Sequence, residues 1–219
     1  MIKLVIFDLD GTLIDTMKDI ANACNYALQQ CGCPARKLEE YNMLVGRGID
    51  NLFRGALPES LKTEEMVVKM REYFVPYYNE HKCDFTCPYE GILEALEKLD
   101  AAGLKFAVAS NKYQEGTEQL VEKFFGRYDF VKVLGQREGK PIKPDPEIVF
   151  EIMAELPGIS VEEVAYCGDS DVDMQTGLGA GVKTIGVTWG FRTREELEAY
   201  NPHALIDRPD EIPDAISNF

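Results

Sequence analysis

The segment LVIFDLDGT, residues 4–12, joins a run of four apolar residues directly to two carboxylates, Asp8 and Asp10. An apolar run without alternation is typical of a strand that is buried on both faces. A buried carboxylate without a partner costs free energy, so these two acids do not serve the hydrophobic core. The pattern therefore predicts a buried strand that holds two functional carboxylates at its end.

Further apolar, β-rich runs follow later in the chain, and helical patterns separate them. They are KFAVAS (105–110), FVKVLG (130–135), VAYCGD (164–169) and KTIGVT (183–188). Ahead of the first of them, ILEALEKLDAAG (92–103) places its large apolar residues on one helical face and ends at Gly103, which is typical of a helix C-terminus. Strands that alternate with helices predict parallel pairing. We therefore expect the α/β class, with a Rossmann-like three-layer core built on a parallel sheet.

The long interval between the first strand and the next one has a helical pattern. Its apolar residues recur at helical spacing, and Thr16 with Asp19 predicts a capping box at the start of the first helix. Further helices are expected over 37–44, 49–56 and 63–81. We expect residues 15–83 to form an inserted α-helical cap domain, and residues 1–14 and 84–219 to form the α/β core.

Composition excludes two classes of partner. The formal net charge is −15, whereas nucleic acids and anionic membranes require clusters of Lys and Arg. We therefore expect no nucleic-acid and no membrane partner. No apolar run approaches the roughly 20 residues that span a bilayer. The apolar start also runs into Asp8 without a cleavage-type site, so we expect a cytoplasmic protein.

The six cysteines predict free thiols rather than a disulfide framework, because a core of this size needs no covalent staple. Cys31, Cys33, Cys83 and Cys87 offer four possible zinc thiolates. Their spacings differ from those of the usual two-residue zinc knuckles. Small, buried hydrophobic side chains are the favoured interpretation, with zinc as the open alternative.

Polar residues follow three of the predicted strands at the points where the strands end. They are Asp8 and Asp10, Ser110-Asn111-Lys112, and Gly168-Asp169-Ser170-Asp171-Val172-Asp173. A fourth segment, KPDP (143–146), precedes a predicted helix over 146–156, with Asp145 as its N-cap. In a parallel sheet, ligands bind beyond the carboxyl ends of the strands. We therefore expect these four segments to meet in one ligand site.

The four segments, in this order and spacing, resemble the motifs of the haloacid dehalogenase superfamily of phosphatases. Within it, the chain is most similar to the phosphoglycolate-phosphatase-like branch, which carries a small helical cap between the first two motifs. The similarity covers essentially all of the chain outside the expected cap. The four letters D, D, G and T alone arise by chance roughly once in 10⁵ positions. Because the three later segments are also in register, coincidence is not a serious explanation.

The resemblance implies a two-step transfer of a phosphoryl group. Asp8 matches the nucleophile that attacks phosphorus and becomes an aspartyl-phosphate. Asp10 matches the general acid that protonates the leaving oxygen and then takes a proton from the hydrolytic water. Ser110, Asn111 and Lys143 match the donors that bind the oxygens of the transferring group.

The resemblance also implies Mg²⁺ as the cofactor, because a cation must screen the nucleophile from the phosphate. Asp8, the backbone carbonyl of Asp10, and Asp169 match the metal ligands of the family. Asp173 matches a residue that holds a metal-bound water or the site lysine, and its direct ligation stays open. Asp171 is interpreted as an exposed acid in the first turn of a helix, where the helix dipole favours it.

Substrate selection is expected in the cap. The loop Leu44-Val45-Gly46-Arg47-Gly48 resembles the cap loop that closes over the active site in this branch. Gly46 and Arg47 are therefore candidate substrate-binding residues. Arg47 has the chemistry to bind a substrate carboxylate through two nitrogens, and a solvent-facing arginine is the alternative. Arg192 is a weaker candidate for the same role.

The function that the resemblance implies is a magnesium-dependent phosphatase for a small phosphorylated metabolite, with 2-phosphoglycolate as the nearest family substrate. A phosphotransferase similar to β-phosphoglucomutase and a pyrophosphatase are alternatives, and a catalytically silent binding module is a remote one. Asp10 disfavours dehalogenase chemistry, which needs no acid at that position. We expect a monomer or a homodimer.

Overall fold

The strands form two sheets, and the larger sheet is entirely parallel. The computed structural model describes residues 1–219. Its strands are β1 (Leu4–Phe7), β2 (Ile14–Asp15), β3 (Cys87–Pro88), β4 (Lys105–Tyr113), β5 (Phe130–Gln136), β6 (Val164–Gly168), β7 (Lys183–Val187) and β8 (Ala204–Ile206). Six of them pair in the order β5-β4-β1-β6-β7-β8, and β2 pairs antiparallel with β3. The parallel α/β class is confirmed.

The helices divide between the two faces of the sheet and the interval between β2 and β3. They are α1 (Met17–Gln30), α2 (Ile49–Ala56), α3 (Glu64–His81), α4 (Ile92–Ala101), α5 (Gln114–Phe125), α6 (Glu147–Met153), α7 (Asp171–Ala180), α8 (Arg194–Glu198) and α9 (Ile212–Ser217). Helices α4, α5 and α9 contribute to the apolar cluster on one face of the sheet, and α6 and α7 to the cluster on the other. This arrangement is the expected three-layer core.

Strand β1 is the central strand of the core, because it pairs with β4 on one side and β6 on the other. Val5 and Phe7 belong to one apolar cluster, and Leu4 and Ile6 belong to the cluster across the sheet. All four side chains are fully buried. The unbroken apolar run thus reflects burial on both faces, as the sequence predicts.

A separate apolar cluster lies between β2 and β3. Its 18 fully packed members all fall within residues 17–78, and none belongs to the clusters that cover the sheet. Helices α1 and α3 form the main contact in this part of the chain. On this separation we propose that residues 15–83 form the cap, and that residues 1–14 and 84–219 form the core.

The start of the cap differs from the predicted capping box. Helix α1 does begin after Thr16, but the Thr16 side chain makes no hydrogen bond to the helix. Asp19 instead accepts hydrogen bonds from the backbone N–H groups of Phe85 and Thr86 and from the Thr86 hydroxyl, at 2.7–3.2 Å. The chain that returns from the cap carries buried donors that need an acceptor. This demand explains why Asp19 faces the returning chain rather than its own helix.

The helices and the cysteines bear on two further expectations, a possible membrane span and a possible zinc site. None of the helices combines the length and the apolar character that crossing a membrane requires. All six cysteines are free. The one cluster of possible metal ligands consists of aspartates, so no group of cysteines is arranged as a zinc site.

We predict that Asp19→Ala destabilises the junction between cap and core. The substitution leaves the buried N–H and hydroxyl of Thr86 and the partly buried N–H of Phe85 without an acceptor, which costs about 3 kcal/mol in the free energy of unfolding. Urea denaturation measures this loss. Asp100→Ala is the control, because Asp100 is exposed and its replacement is expected to change stability by less than about 0.5 kcal/mol. Equal stability of the two variants would contradict the assigned role of Asp19.

Candidate active site

Three neighbouring strands bring the predicted site residues together at one edge of the sheet. The register pairs Phe7 of β1 with Val108 of β4 and Cys167 of β6, so the residues that follow these positions emerge side by side. The Asp8 N–H donates to the Cys167 carbonyl oxygen at 2.9 Å, which continues the ladder by one residue. One oxygen from each of the carboxylates of Asp8, Asp169 and Asp173 lies within 4.8 Å of the others.

Lys143 is the cation at the centre of this cluster. Its Nζ lies 2.9 Å from Asp8 Oδ1 and 2.7 Å from Asp173 Oδ1, and it donates to the Tyr166 hydroxyl at 3.0 Å. Its side chain is only 2% exposed. A lysine is buried at low cost only when it is paired and hydrogen-bonded, and these three partners meet that requirement.

The Asn111 side chain holds the backbone of Lys143 in place. The Asn111 carboxamide accepts a hydrogen bond from the Lys143 N–H at 2.9 Å and donates to the Lys143 carbonyl oxygen at 3.0 Å. Its amide group also donates to the Gly46 carbonyl oxygen at 3.0 Å. Asn111 therefore connects the end of β4, the lysine loop and the cap loop. Ser110 lies beside it on the wall of the cleft.

Burial shapes the protonation of the cluster. It raises the pKa of Asp8 well above its usual value, Asp173 raises that pKa further, and Lys143 offsets only part of the effect. Burial and then Asp173 raise the pKa of Asp169 to about 7. Burial alone would lower the pKa of Lys143, but Asp173 and Asp8 hold it well above its usual value. Burial and mutual repulsion therefore favour the protonated forms of Asp8 and Asp169, and the cluster needs a further positive charge to hold all three carboxylates ionised.

Two hydrogen-bond donors hold the Asp169 carboxylate in place, and the backbone of two glycines packs closely against it. The Thr12 hydroxyl donates to Asp169 Oδ1 at 2.9 Å, and the Phe191 N–H donates to Oδ2 at 2.8 Å. A Cβ at Gly190 would lie 2.3 Å from the Asp169 Cβ, and one at Gly11 would lie 2.5 Å from Asp169 Oδ2. Only glycine fits at either position, so the backbone on both sides is shaped around this carboxylate.

The donor set fits a magnesium ion. With all three carboxylates ionised, the cluster and its one ammonium would carry a net charge of about −2, which a divalent cation balances, and carboxylate oxygens are ligands that Mg²⁺ prefers. Asp8 and Asp169 offer oxygens for direct ligation. The donors to Asp169 are neutral, whereas Asp173 Oδ1 accepts from the Lys143 ammonium at 2.7 Å, so Asp173 is arranged to hold the lysine.

Asp10 has a partner that the sequence did not indicate. The Lys112 ammonium contacts both oxygens of the Asp10 carboxylate, at 2.9 and 3.0 Å, and the Lys112 side chain is 5% exposed. The pair explains why Asp10 tolerates its position beside the buried strand. The position of Lys112 in the segment Ser110-Asn111-Lys112 indicates that it lies at the site. Nothing in the sequence indicates that it pairs with Asp10.

A cleft of about 530 Å³, open to solvent, separates the cap from the strand ends. Asp8, Asp10, Ser110 and Asn111 line it from the core. The cap contributes mostly apolar side chains, together with Gly46 and a second glycine. The predicted residues Gly46 and Asn111 therefore lie on the same cleft as the proposed nucleophile.

Arg47 lies outside the cleft and contacts Asp171. Its Nη2 donates to Asp171 Oδ2 at 2.5 Å, its side chain is 51% exposed, and it does not line the cleft. Arg192 is buried and also faces Asp171, with its Nε 3.5 Å from Oδ1. Its remaining donors bind the carbonyl oxygens of Asn42 and Val45 in the cap. Arg192 thus ties the cap loop to the core.

The interpretation of Asp171 as an exposed acid is wrong. Its side chain is 14% exposed, because guanidinium groups from the cap loop and from the segment after β7 converge on it. Asp171 nevertheless lies in the first turn of α7, where the helix dipole adds to its stabilisation.

Comparison with known proteins agrees with this geometry. The family model of the haloacid dehalogenase-like hydrolases matches residues 5–187. The chain is 32% identical to a phosphoglycolate phosphatase of Vibrio parahaemolyticus, over 99% of this chain and 96% of that protein. It is 31% identical to a phosphoglycolate phosphatase of Aquifex aeolicus, over 99% and 97%.

A solved structure shows the same fold over nearly the full length. It comes from Lactobacillus delbrueckii subsp. bulgaricus, and its assignment as a phosphoglycolate phosphatase is provisional. It matches with a TM-score of 0.89 and 31% identity, over 98% of each chain. The chain therefore belongs to the haloacid dehalogenase-like hydrolase family, and it groups with the phosphatases of that family.

Proposed function

We propose that this protein is a magnesium-dependent phosphatase that hydrolyses a small phosphate monoester through an aspartyl-phosphate on Asp8. The observation that carries the proposal is the placement of Asp8 at the end of β1, with Lys143 at 2.9 Å and the carboxylates of Asp169 and Asp173 close by. A nucleophile for phosphorus needs adjacent positive charge and a fixed position. This cluster supplies the lysine, and its acidic surplus is matched to a divalent cation.

Asp8 carries out the first displacement. One of its carboxylate oxygens attacks phosphorus in line, the bond from phosphorus to the ester oxygen breaks, and the leaving oxygen takes a proton from Asp10. Lys143, together with Ser110, stabilises the charge on the transferring group. Bound Mg²⁺ would be held by Asp8, Asp169 and the Asp10 carbonyl, and it would reduce the repulsion between nucleophile and phosphate.

Asp10 acts again in the second displacement. It takes a proton from a water that attacks phosphorus, the bond from phosphorus to Asp8 breaks, and inorganic phosphate leaves. The contact with the Lys112 ammonium favours the carboxylate form of Asp10, which suits this second role. In the first role Asp10 must carry a proton, so the contact with Lys112 must open when substrate binds.

The proposed substrate is 2-phosphoglycolate or a similarly short ester. Support comes from the curated relatives of Vibrio parahaemolyticus and Aquifex aeolicus, both phosphoglycolate phosphatases, which match over nearly their whole length. The proposed grip of Arg47 on a substrate carboxylate would require it to leave Asp171. Cytoplasmic placement and a monomeric or homodimeric state stay predictions, and the six free cysteines support the former.

We predict phosphate release from 2-phosphoglycolate in the presence of Mg²⁺ and none in the presence of a chelator. Pyrophosphate and β-glucose 1-phosphate are assayed in parallel, and phosphorus NMR follows isomerisation of the sugar phosphate. Isomerisation without phosphate release would favour a phosphotransferase. A protein that acts on none of these compounds would contradict the proposed activity.

We predict that Mg²⁺ stabilises the wild-type protein and that Asp169→Asn removes this response. Ligand at a hundredfold excess over its Kd adds about 2.7 kcal/mol to the free energy of unfolding. The Asp169→Asn variant loses one charged ligand, so its thermal midpoint is expected to stay constant at the same Mg²⁺ concentration. The control Asp145→Asn, at an exposed position outside the cluster, keeps the wild-type response. Equal shifts in all three proteins would place the ion elsewhere.

A further inference from the structure

The wall that the cap contributes to the cleft contains a single polar side chain. Ile20, Val45, Ile49, Leu52 and Phe74 line it together with two glycines, and Tyr78 is the remaining member. The phosphate end of a substrate is bound on the opposite side, by the core residues around Asp8. A leaving group would then face this apolar wall, and Tyr78 is the only residue of the wall whose side chain carries a hydrogen-bonding group.

The Tyr78 hydroxyl is buried and has no hydrogen-bond partner within the protein. The residue is 1% exposed. Neutral hydroxyls buried in this way normally have a partner, because an unsatisfied one costs free energy. The neighbouring Tyr41, in the same cap cluster, follows the rule: its hydroxyl donates to Asn25 Oδ1 at 2.8 Å.

The ring of Tyr78 is fixed, so its hydroxyl cannot turn to solvent. It stacks on Phe74 with ring centres 5.3 Å apart and planes inclined by 17°. The Lys112 ammonium, which holds Asp10, lies 4.8 Å from the centre of the same ring. The Tyr78 ring therefore packs against the same lysine that holds the proposed general acid.

We propose that Tyr78 is a specificity-determining residue whose hydroxyl donates a hydrogen bond to an oxygen at the far end of the leaving group. This inference rests on the proposed phosphatase activity. The ligand chemistry is a phosphate monoester with a short leaving group that ends in an accepting oxygen, carboxylate or hydroxyl. An ester that ends in a methyl group leaves the Tyr78 hydroxyl unpaired, and a site with an unpaired polar group discriminates against such a substrate.

Three esters with two-carbon leaving groups test the proposal with Tyr78→Phe. They are 2-phosphoglycolate, which ends in a carboxylate, 2-hydroxyethyl phosphate, which ends in a hydroxyl, and ethyl phosphate, which ends in a methyl group. The variant is expected to lose about tenfold in its kcat/KM preference for the oxygen-bearing esters over ethyl phosphate, which corresponds to about 1.4 kcal/mol. Loss with only one of the first two esters identifies that group as the partner.

Stability provides a readout that needs no substrate. Because the wild-type hydroxyl is unpaired, Tyr78→Phe is expected to keep or raise the thermal midpoint. The matched control Tyr41→Phe removes a hydroxyl that is hydrogen-bonded, so its midpoint is expected to fall while its substrate preference stays that of the wild type.

Each outcome separates the recognition proposal from the proposed activity. An unchanged preference in Tyr78→Phe overturns the recognition role and leaves the phosphatase intact. A midpoint that falls as far as that of Tyr41→Phe also overturns it, because the hydroxyl then has a structural partner. A wild-type protein that releases phosphate from none of the three esters contradicts the proposed function, and the recognition role fails with it.

Discussion

The buried contacts of Lys143 with Asp8 and Asp173 join parts of the chain that are far apart in sequence. Asp8 follows the central strand, Asp173 lies in the first turns of α7, and Lys143 stands before α6. Breaking a buried pair of this kind costs about 3–5 kcal/mol, because the charge left behind has no partner. The same contacts that close the core around β1 therefore set the position and the charge of the proposed nucleophile.

Most of the core follows from local pattern. The unbroken apolar run of β1 predicted burial on both faces, and the helix at 49–56 matches α2 at both ends. Strand β8 was missed because its three residues are too few to give a periodic signal. Strands β2 and β3 are two residues each, and they exist because the two crossings between cap and core lie side by side.

Contacts between distant residues limited what the sequence indicated about the site. Lys112 and Asp10 are 102 positions apart, and Arg192 reaches a carbonyl 150 positions away, so neither pair leaves a local pattern. The capping rule is local and therefore predicts that Asp19 caps its own helix, whereas its actual partners are 66 and 67 positions further on. The resemblance to a family supplied roles for motif residues but not for Tyr78, whose lack of a partner is visible only in three dimensions.

The core and the cap present different kinds of side chain to the cleft. The core presents charged and hydrogen-bonding groups on strand ends, which suits a phosphoryl group of fixed chemistry. The cap presents apolar side chains and one hydroxyl, which suits selection among leaving groups. Arg192 and Arg47 connect the two by converging on Asp171.

The central claim is that Asp8 becomes covalently bonded to phosphorus, and chemical trapping tests it most directly. Protein that is turning over substrate is quenched in acid and treated with borohydride, which reduces an acyl phosphate to an alcohol. Peptide mass spectrometry then reads residue 8. We predict homoserine at position 8 in the wild-type protein with substrate, and no reduction without substrate or in Asp8→Asn. Phosphate release without any reduced residue at position 8 would contradict the account.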